Sequence, residues 1–325
     1  MIGGWGRDLR MQLCGCGMLS QFELRCETLA SLDATFCRAL HSESLWAVPA
    51  LCPALQSMSL AYCPISSEVL ATMFCGQQLA SLTFLDLSYT EVSDADAVVT
   101  GCPALGKLKL TACKYMCREA MLPFLQGGRA PSLADLDLSY CTLPEEALRQ
   151  VLVHGQHLQV LNLSACGSVT RALWERPPSK PAEAAASAPL CNALTDLACT
   201  GCPSLFDVQI LHRHPMYAML QTLSLRLTAV TRVELELECL RTLDLRECAQ
   251  LEQLHLCCPR LSTLDMQLCT ALPPHAVQGA LRGLNELEML DVRDMVQLSV
   301  EDLRGLPSLL PQLRRFLTST GSGSD

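Results

Sequence analysis

The sequence lacks the features that would point to a nucleic-acid or membrane partner. Its 24 lysines and arginines are outnumbered by 33 acidic residues, and the net charge is −9. The basic residues form no run that could bind a phosphate backbone. No apolar run is long enough to cross a bilayer, and "MIGGWGRDLRMQLCGCG" at the start has no apolar segment of signal-peptide length. We therefore expect no nucleic-acid or membrane partner, and a location in the cytoplasm, the nucleus or both.

Motifs that carry catalytic chemistry are also missing. The sequence has no glycine-rich phosphate loop, no H-E-x-x-H pair and no G-x-S-x-G elbow. Its seven histidines are scattered along the chain and form no recognisable constellation with a cysteine nucleophile. We expect a protein that is not an enzyme and that holds no cofactor.

The sequence does contain an internal repeat with the template C-x-x-L-x-x-L-x-L-x-x-C. It reads "CPALQSMSLAYC" from Cys52, "CPALGKLKLTAC" from Cys102 and "CPRLSTLDMQLC" from Cys258, with degenerate copies between and around these. The copies recur every 23 to 28 residues or so, a period typical of leucine-rich repeats, in which each unit supplies a short strand and a helix or turn.

This pattern predicts an α/β fold of the leucine-rich-repeat class. We expect a ribonuclease-inhibitor-like horseshoe, with a parallel sheet on the concave face and helices on the convex face. Residues 1–317 should form a single solenoid of about twelve repeats. Helices are expected after Ser66, Pro144 and Pro273, where cap residues precede apolar residues at helical spacing.

Three segments depart from the pattern. Between 220 and 264 the leucine phrases lie about ten residues apart, which leaves no room for a helix, so we expect extended segments on the convex side there. The phrase "LSQFEL" predicts an extended segment in place of a helix near the start as well. Residues 171–190 are rich in Pro, Ala and Ser and predict a flexible loop, with Trp174 either an anchor to the scaffold or a partner contact; residues 318–325 predict a disordered tail.

Many of the twenty cysteines fall on one template position, which favours reduced, buried thiols over disulfides. The predicted structural cysteine ladder consists of Cys37, Cys63, Cys113, Cys141, Cys166, Cys202, Cys248 and Cys269. Thr90 and Thr228 occupy the same position and should act as equivalent donors. Some spacings resemble zinc motifs, namely Cys199-x-x-Cys202 with Cys191, Cys14-x-Cys16, and the pair Cys257 and Cys258 near His255. A structural zinc site needs four converging ligands, so we expect no metal.

The residues that split and flank each L-x-L should face out from the strands. The central column carries six aspartates, and the next column turns from small residues to arginines, with tyrosines beside its early members. Such a surface suits protein recognition. The predicted partner-binding residues are Asp86, Tyr89, Lys109, Asp137, Tyr140, Asn162, Arg226, Asp244, Arg246, Asp265, Asp291 and Arg293. Alternatively, each Asp only solvates its strand or pairs with an adjacent Arg.

The cysteine-containing template resembles the repeats of the F-box/LRR-repeat family, most closely its plant members. The phrases that carry the resemblance, in the same order along the chain, are "CETLASLDATFC", "LTFLDLSYTEV", "LGKLKLTACKYM", "LADLDLSYCTL", "CTGCPSLFDVQI" and "CCPRLSTLDMQLC". The resemblance covers nearly all of residues 9–317. It implies the substrate-recognition part of an SCF-type ubiquitin ligase, with a protein substrate on the concave face.

No F-box-like segment precedes the repeats, so a Skp-type adaptor is an expected partner only if an F-box is encoded upstream of Met1. Two alternatives remain. The chain could be a free-standing scaffold or inhibitor that binds a partner without ubiquitination. It could also be a small-molecule co-receptor, which would require a pocket near Arg226, Arg246 and Arg293.

Overall fold

The computed structural model describes residues 9–75, 79–116, 132–155, 157–174, 193–210 and 216–319. The chain divides into two compact units, Met1–Val151 and Leu152–Asp325. The same short strand recurs in both units, and in the strands between the first and the last it places one leucine or methionine in the core.

The first unit contains a parallel sheet. Its described strands, in order, are β1 (Leu9–Gln12), β2 (Leu29–Asp33), β3 (Ser57–Ser59), β4 (Phe84–Asp86), β5 (Lys107–Lys109) and β6 (Asp135–Asp137). From β2 to β6 the strands are in register, so that the central residue of each strand lies beside the central residue of the next. These central residues, Leu32, Met58, Leu85, Leu108 and Leu136, are at most 1% exposed. The L-x-L alternation therefore builds the core one strand at a time.

Helices of the first unit follow the strands. They are α1 (Glu43–Trp46), α2 (Val48–Leu51), α3 (Ser67–Met73) and α4 (Asp96–Gly101), with α5 (Glu145–His154) after β6. The Ser66 side chain accepts a hydrogen bond from the backbone N–H of Val69 at the start of α3, as the sequence predicts. The helix buries Leu70 and Met73 on one face. Helix α5 begins directly after Pro144 with two glutamates in its first turn, which suits the positive end of the helix dipole.

The second unit has the same strand pattern. Its in-register parallel sheet runs β7 (Val160–Asn162), β8 (Asp196–Ala198), β10 (Thr222–Ser224), β12 (Thr242–Asp244), β14 (Thr263–Asp265), β15 (Met289–Asp291) and β16 (Arg315–Leu317). Helices α6 (Pro274–Leu281) and α7 (Val300–Gly305) and a 3-10 turn at Leu306–Leu309 follow its later strands.

A second, three-stranded parallel sheet replaces helices in the middle of this unit. It consists of β9 (Asp207–Ile210), β11 (Arg232–Leu235) and β13 (Gln253–Leu256), in the order β9, β11, β13. The predicted extended segments between 220 and 264 are thereby confirmed. The second sheet begins earlier than predicted, at Asp207. Near the start of the chain, residues 19–26 form neither strand nor helix, so the analogous expectation for "LSQFEL" was wrong.

Two of the predicted irregular segments are shorter than expected. Arg171–Trp174 form a 3-10 turn that buries Leu173 and Trp174, so any loop starts after Trp174; residues 175–192 lie outside the described part of the chain. The Trp174 ring lies 5.6 Å from the Tyr217 ring, whose hydroxyl donates to the Leu173 carbonyl at 2.9 Å. Burial favours the anchor over a partner contact for Trp174. In the predicted tail, Ser319 hydrogen-bonds Asp294, and residues 320–325 lie outside the described part.

Among the described residues, no helix is both long and apolar enough to span a bilayer.

Candidate protein-binding surface

The surface predicted to bind a partner consists of the outward side chains of the strands and of the turns that follow them. In most three-residue strands of both units, the central residue is buried and its two neighbours are partly exposed. The last residue of β15 is buried too, and the central residue of β16 is only partly buried. This alternation follows from the two-residue period of a strand. The predicted column of Asp, Asn and Lys residues therefore lies on the face of each sheet that points away from its core.

The aspartates of this column have a structural role in the backbone. The Oδ1 atom of Asp86 accepts a hydrogen bond from the backbone N–H of Ser88 at 2.9 Å, and Asp137 does the same for Ser139 at 2.9 Å. Equivalent bonds of 3.0 to 3.1 Å are made by Asp33, Asn162, Asp244, Asp265 and Asp291. A side-chain oxygen that accepts from a backbone N–H two residues later stabilises a turn. The recurrence of Asp is thus explained in large part by the turn that ends each strand.

The arginines of the second unit are paired with carboxylates. Arg246 contacts Asp244 at 2.7 Å and Asp265 at 3.3 Å, and the hydrogen bond with Asp244 raises the pKa of the arginine. Arg293 contacts Asp291 at 2.6 Å, and Arg226 contacts Glu247 at 2.5 Å. An anionic metabolite would have to displace a carboxylate from each arginine. This argues against the pocket near Arg226, Arg246 and Arg293 that a small-molecule co-receptor would require.

Two aspartates of the second unit are poorly placed for partner contact. Asp291 is fully buried beneath Arg293, so its prediction as a partner-binding residue was wrong. Burial raises the pKa of Asp265, and the neighbouring charge of Asp291 adds to that rise. The side chain of Asp265 is only 14% exposed. Both carboxylates hold arginines in place, and it is the exposed edges of Arg246 and Arg293 that face solvent.

The outward face of the first unit is more open. Lys109 extends over the Phe84 ring at 5.8 Å from its centroid, and Lys107 forms a 2.5 Å ion pair with Asp135. Tyr89 is 44% exposed and Tyr140 is 59% exposed. The predicted residues Asp86, Tyr89, Lys109, Asp137 and Tyr140 therefore lie on three adjacent strands and their turns. The predicted residue Asn162 lies in the second unit, at the end of β7.

Sequence reasoning missed part of an aromatic stack in the turns. Phe36, Tyr62 and Tyr89 lie at equivalent positions after β2, β3 and β4, with ring centroids 4.1 Å apart in both pairs and interplanar angles of 12° and 10°. The signal was present in the sequence, since each of these residues directly precedes the last position of the template. The hydrogen bond that Tyr89 shares with Tyr62 raises the pKa of Tyr89.

The cysteines at the end of the template are buried in both units, and most of the predicted ladder donates across repeats. The thiol of Cys113 donates to the Leu87 carbonyl at 3.2 Å and that of Cys248 to the Leu225 carbonyl at 3.1 Å. Matching bonds of 3.0 to 3.2 Å are made by Cys37, Cys63, Cys141, Cys202 and Cys269, and Cys166 is buried at the same position. Burial raises the pKa of the Cys63 thiol to about 12. This thiol is a protonated donor at neutral pH.

Thr90 and Thr228 behave differently from the cysteines that they replace. The Thr90 hydroxyl donates at 2.5 Å to the carbonyl of Leu87 in its own repeat, and Thr228 donates at 2.6 Å to that of Leu225. We expected both threonines to donate to a neighbouring repeat, as the cysteines do. This expectation was wrong, because each donates within its own repeat. The shorter C–O bond keeps the hydroxyl close to its own strand, whereas the longer C–S bond lets a thiol reach the preceding repeat.

The cysteine pairs that resemble zinc motifs do not converge on a common point. Cys202 donates to a backbone carbonyl, and Cys258 is buried and faces the Leu235 carbonyl at 3.7 Å. Cys257 is exposed and lies 3.5 Å from the His255 imidazole. Within the described ranges, no three His, Cys, Asp or Glu side chains are grouped to hold a metal ion. Cys191 of the first motif lies outside those ranges.

No family model matches the chain. Among solved structures, an internalin (inlF) from Listeria monocytogenes is similar over 97% of this chain and 87% of its own, with 12% sequence identity and a TM-score of 0.53. The fold is a leucine-rich-repeat solenoid. A TLR13–ssRNA13 complex also aligns, at 14% identity and a TM-score of 0.45, over 92% of this chain and 52% of that chain. At these identities the likeness concerns the fold alone, and the predicted fold class is confirmed.

Proposed function

We propose that this chain is a non-catalytic protein-binding domain, and that it forms the substrate-recognition part of an SCF-type E3 ubiquitin ligase in ubiquitin-dependent protein catabolism. The observation that carries the binding role is the exposed pair Tyr89 and Tyr140, beside the charged strand residues Asp86, Lys109 and Asp137. Exposed aromatic side chains surrounded by charge are typical of sites where proteins anchor partners.

The ligase assignment has a separate basis. The order of the repeat phrases resembles plant F-box/LRR-repeat protein 15, and the repeats of such proteins hold the substrate while an F-box holds a Skp-type adaptor. The described cysteines are all free, which suits action in the reducing cytoplasm or nucleus.

The test begins with the 5′ end of the native transcript, which defines the native-length protein. That protein is then used to capture partners from its own cells, and the captured proteins are quantified by mass spectrometry. The wild type should retain a Skp-type adaptor together with a substrate. Tyr89→Ala with Tyr140→Ala should reduce the substrate by about tenfold or more, because exposed tyrosine anchors carry much of an interface's energy, and should leave the adaptor unchanged.

The matched control is Phe206→Ala, which removes an aromatic residue that is 55% exposed elsewhere on the chain. This variant should capture the same amounts of substrate and adaptor as the wild type. Absence of any Skp-type adaptor from the wild-type capture would remove the ligase assignment and favour the scaffold or inhibitor alternative. Retention of the substrate by the double tyrosine variant would place the binding surface elsewhere.

A further inference from the structure

The aromatic stack of the first unit is interrupted at one position. Strands β4, β5 and β6 pair in register, so Tyr89, Ala112 and Tyr140 occupy equivalent positions in the turns after them. Their φ angles are +59°, +56° and +59°. Phe36, Tyr62 and Tyr89 stack in consecutive turns, but the next turn carries only the methyl group of Ala112. The stack therefore ends at Tyr89, with a small residue beside its outer face and a second tyrosine one turn further on.

This interruption creates a slot between two exposed tyrosines. Neighbouring strands lie about 4.8 Å apart, so the backbone positions of Tyr89 and Tyr140 are separated by about 10 Å. One planar group stacked between two rings needs two stacking distances, each 4.1 Å if it equals that between Tyr62 and Tyr89. Ala112 is 8% exposed and forms the floor. The strand spacing thus leaves room for one flat group between the two tyrosines.

The aromatic residues are not needed to form these turns. A positive φ is sterically unfavourable for bulky side chains, and Ala165 and Gly201 make the same turn in the second unit. The chain nevertheless places aromatic rings at four of the six such turns described in the first unit, namely at Phe36, Tyr62, Tyr89 and Tyr140, while Gly15 and Ala112 occupy the other two. The positive-φ residues described in the second unit include large side chains such as Leu227 and Leu268 but no aromatic ring, so it is the concentration of rings in the first unit that points to a role for them.

The stack already holds a guanidinium group within the chain. The Arg38 guanidinium carbon lies 5.6 Å from the centroid of Phe36 and 5.9 Å from that of Tyr62. Both distances are within the range of a cation–π interaction. The guanidinium is almost equidistant from the two stacked rings, so it lies beside the stack, and the aromatic edge of this unit thus tolerates an arginine nearby.

The charges around the slot favour a cation over a neutral ring. Glu91 is exposed two residues after Tyr89, and Asp137 is close enough for its charge to raise the pKa of the Tyr89 hydroxyl, after the larger contribution of Tyr62. The whole chain carries a net charge of −9. Lys114, two residues after Ala112, and Lys109, at the end of β5, are opposing charges and should weaken binding of a cation.

We propose that the slot formed by Tyr89, Ala112 and Tyr140 binds the guanidinium group of an arginine in the partner protein. The proposal deepens the protein-binding role given above and rests on it, and it is independent of the ligase assignment. The guanidinium stacks between the two tyrosine rings, and the negative charge of Glu91, two residues after Tyr89, adds to the attraction.

The experiment measures binding of two labelled peptides to the full chain by fluorescence anisotropy at low and physiological salt. One peptide carries four arginines spaced by Gly-Ser, and the other carries four lysines at the same places. Because both have the same charge, a difference between them reports stacking rather than general attraction. The arginine peptide should bind at least about fivefold tighter, and Lys114→Ala should strengthen its binding.

The decisive variant is Ala112→Tyr, which fills the slot by continuing the existing stack and should abolish the arginine preference. Ala165→Tyr makes the same substitution at φ +56° in the second unit and should leave the preference intact. If the melting temperature shows that Ala112→Tyr does not fold, Tyr140→Ala is tested instead. This variant removes one wall of the slot at an exposed position. Equal affinity for both peptides, or an arginine preference that survives in folded Ala112→Tyr or in Tyr140→Ala, would overturn the proposal. These results do not depend on whether an adaptor is captured.

Discussion

The thiol of Cys63 lies 3.0 Å from the backbone carbonyl oxygen of Ala34 in the preceding repeat. This carbonyl also accepts the N–H of Cys37, so it keeps one partner when the thiol is removed. We expect Cys63→Ala to lower the free energy of unfolding by about 1–2 kcal/mol, because a hydrogen bond and some packing are lost. Urea denaturation measures the change.

The comparison for this prediction is Cys75→Ala. Cys75 is exposed, and its replacement should change stability by less than about 0.5 kcal/mol. Equal effects of the two substitutions would show that the buried thiol ladder contributes nothing specific.

The column of aspartates has a structural and an electrostatic role that substitution can separate. Asp86→Asn keeps an oxygen that can accept from the Ser88 N–H, as Asn162 does for Ser164 at 3.0 Å. Its stability should stay within about 0.5 kcal/mol of the wild type, whereas Asp86→Ala should lose about 1 kcal/mol. Thermal unfolding of both variants checks this.

The same two variants also separate the effect of the negative charge of Asp86 from that of its hydrogen bond. If Asp86 contributes electrostatically to partner capture, Asp86→Asn weakens capture while remaining as stable as the wild type. Unchanged capture by Asp86→Asn would assign Asp86 to the turn alone.

Removal of Arg246 should destabilise the second unit in a pH-dependent way. Arg246 bridges Asp244 and Asp265, and burial already raises the pKa of Asp265. A carboxyl group with a raised pKa in the folded state favours folding when protonated, and this contribution is lost as the pH rises through that pKa. Without Arg246 the pKa of Asp265 should rise further.

Arg246→Ala should therefore lower the free energy of unfolding by about 1 kcal/mol at pH 7 and by less near pH 4. The partial exposure of the arginine limits the size of this loss. Urea denaturation at both pH values measures the difference. Arg314→Ala, which removes a well-exposed partner of Glu288, is the control and should show little effect at either pH. A loss that grows as the pH falls would contradict the assigned role of Arg246.

Two glycines in helices should respond in opposite ways to alanine. Gly101 ends α4 against Phe74, and an added Cβ would overlap the Cγ atom of that ring. Gly101→Ala should destabilise the protein by about 1–3 kcal/mol, since a ring and helix must move apart. Gly279 lies in α6, and a Cβ added there would have no other atom within 4 Å.

Gly279→Ala should stabilise the protein by up to about 1 kcal/mol, because alanine loses less backbone entropy in a helix. Differential scanning calorimetry would report a lower melting temperature for the first variant and a higher one for the second. A neutral Gly101→Ala would show that Phe74 has an alternative rotamer available.

Much of the fold follows from the sequence because the repeat imposes it. The leucines of L-x-L can occupy only the buried side of a strand, and the ten-residue spacing between phrases excludes helices around β11. The second sheet began earlier than predicted because "FDVQI" carries an extended segment without a full leucine phrase. Local spacing alone does not reveal it.

The surface was harder to predict because its side chains interact with one another. Sequence position shows that Asp291 and Arg293 are two residues apart, but not that the carboxylate is buried and paired with the arginine. The stacking of Phe36 on Tyr62 likewise depends on the shared turn conformation, which no single repeat specifies.

The shared turn conformation fixes the backbone at this position but not the chemistry of its side chain. The position with φ between +56° and +67° holds an aromatic ring at Tyr62, a methyl group at Ala112, no side chain at Gly201 and a carboxylate at Glu247. The repeat fixes the main chain while the displayed group varies freely. A protein engineer could treat this row as a set of interchangeable display sites, spaced one strand apart, and vary them in a combinatorial library without redesigning the scaffold.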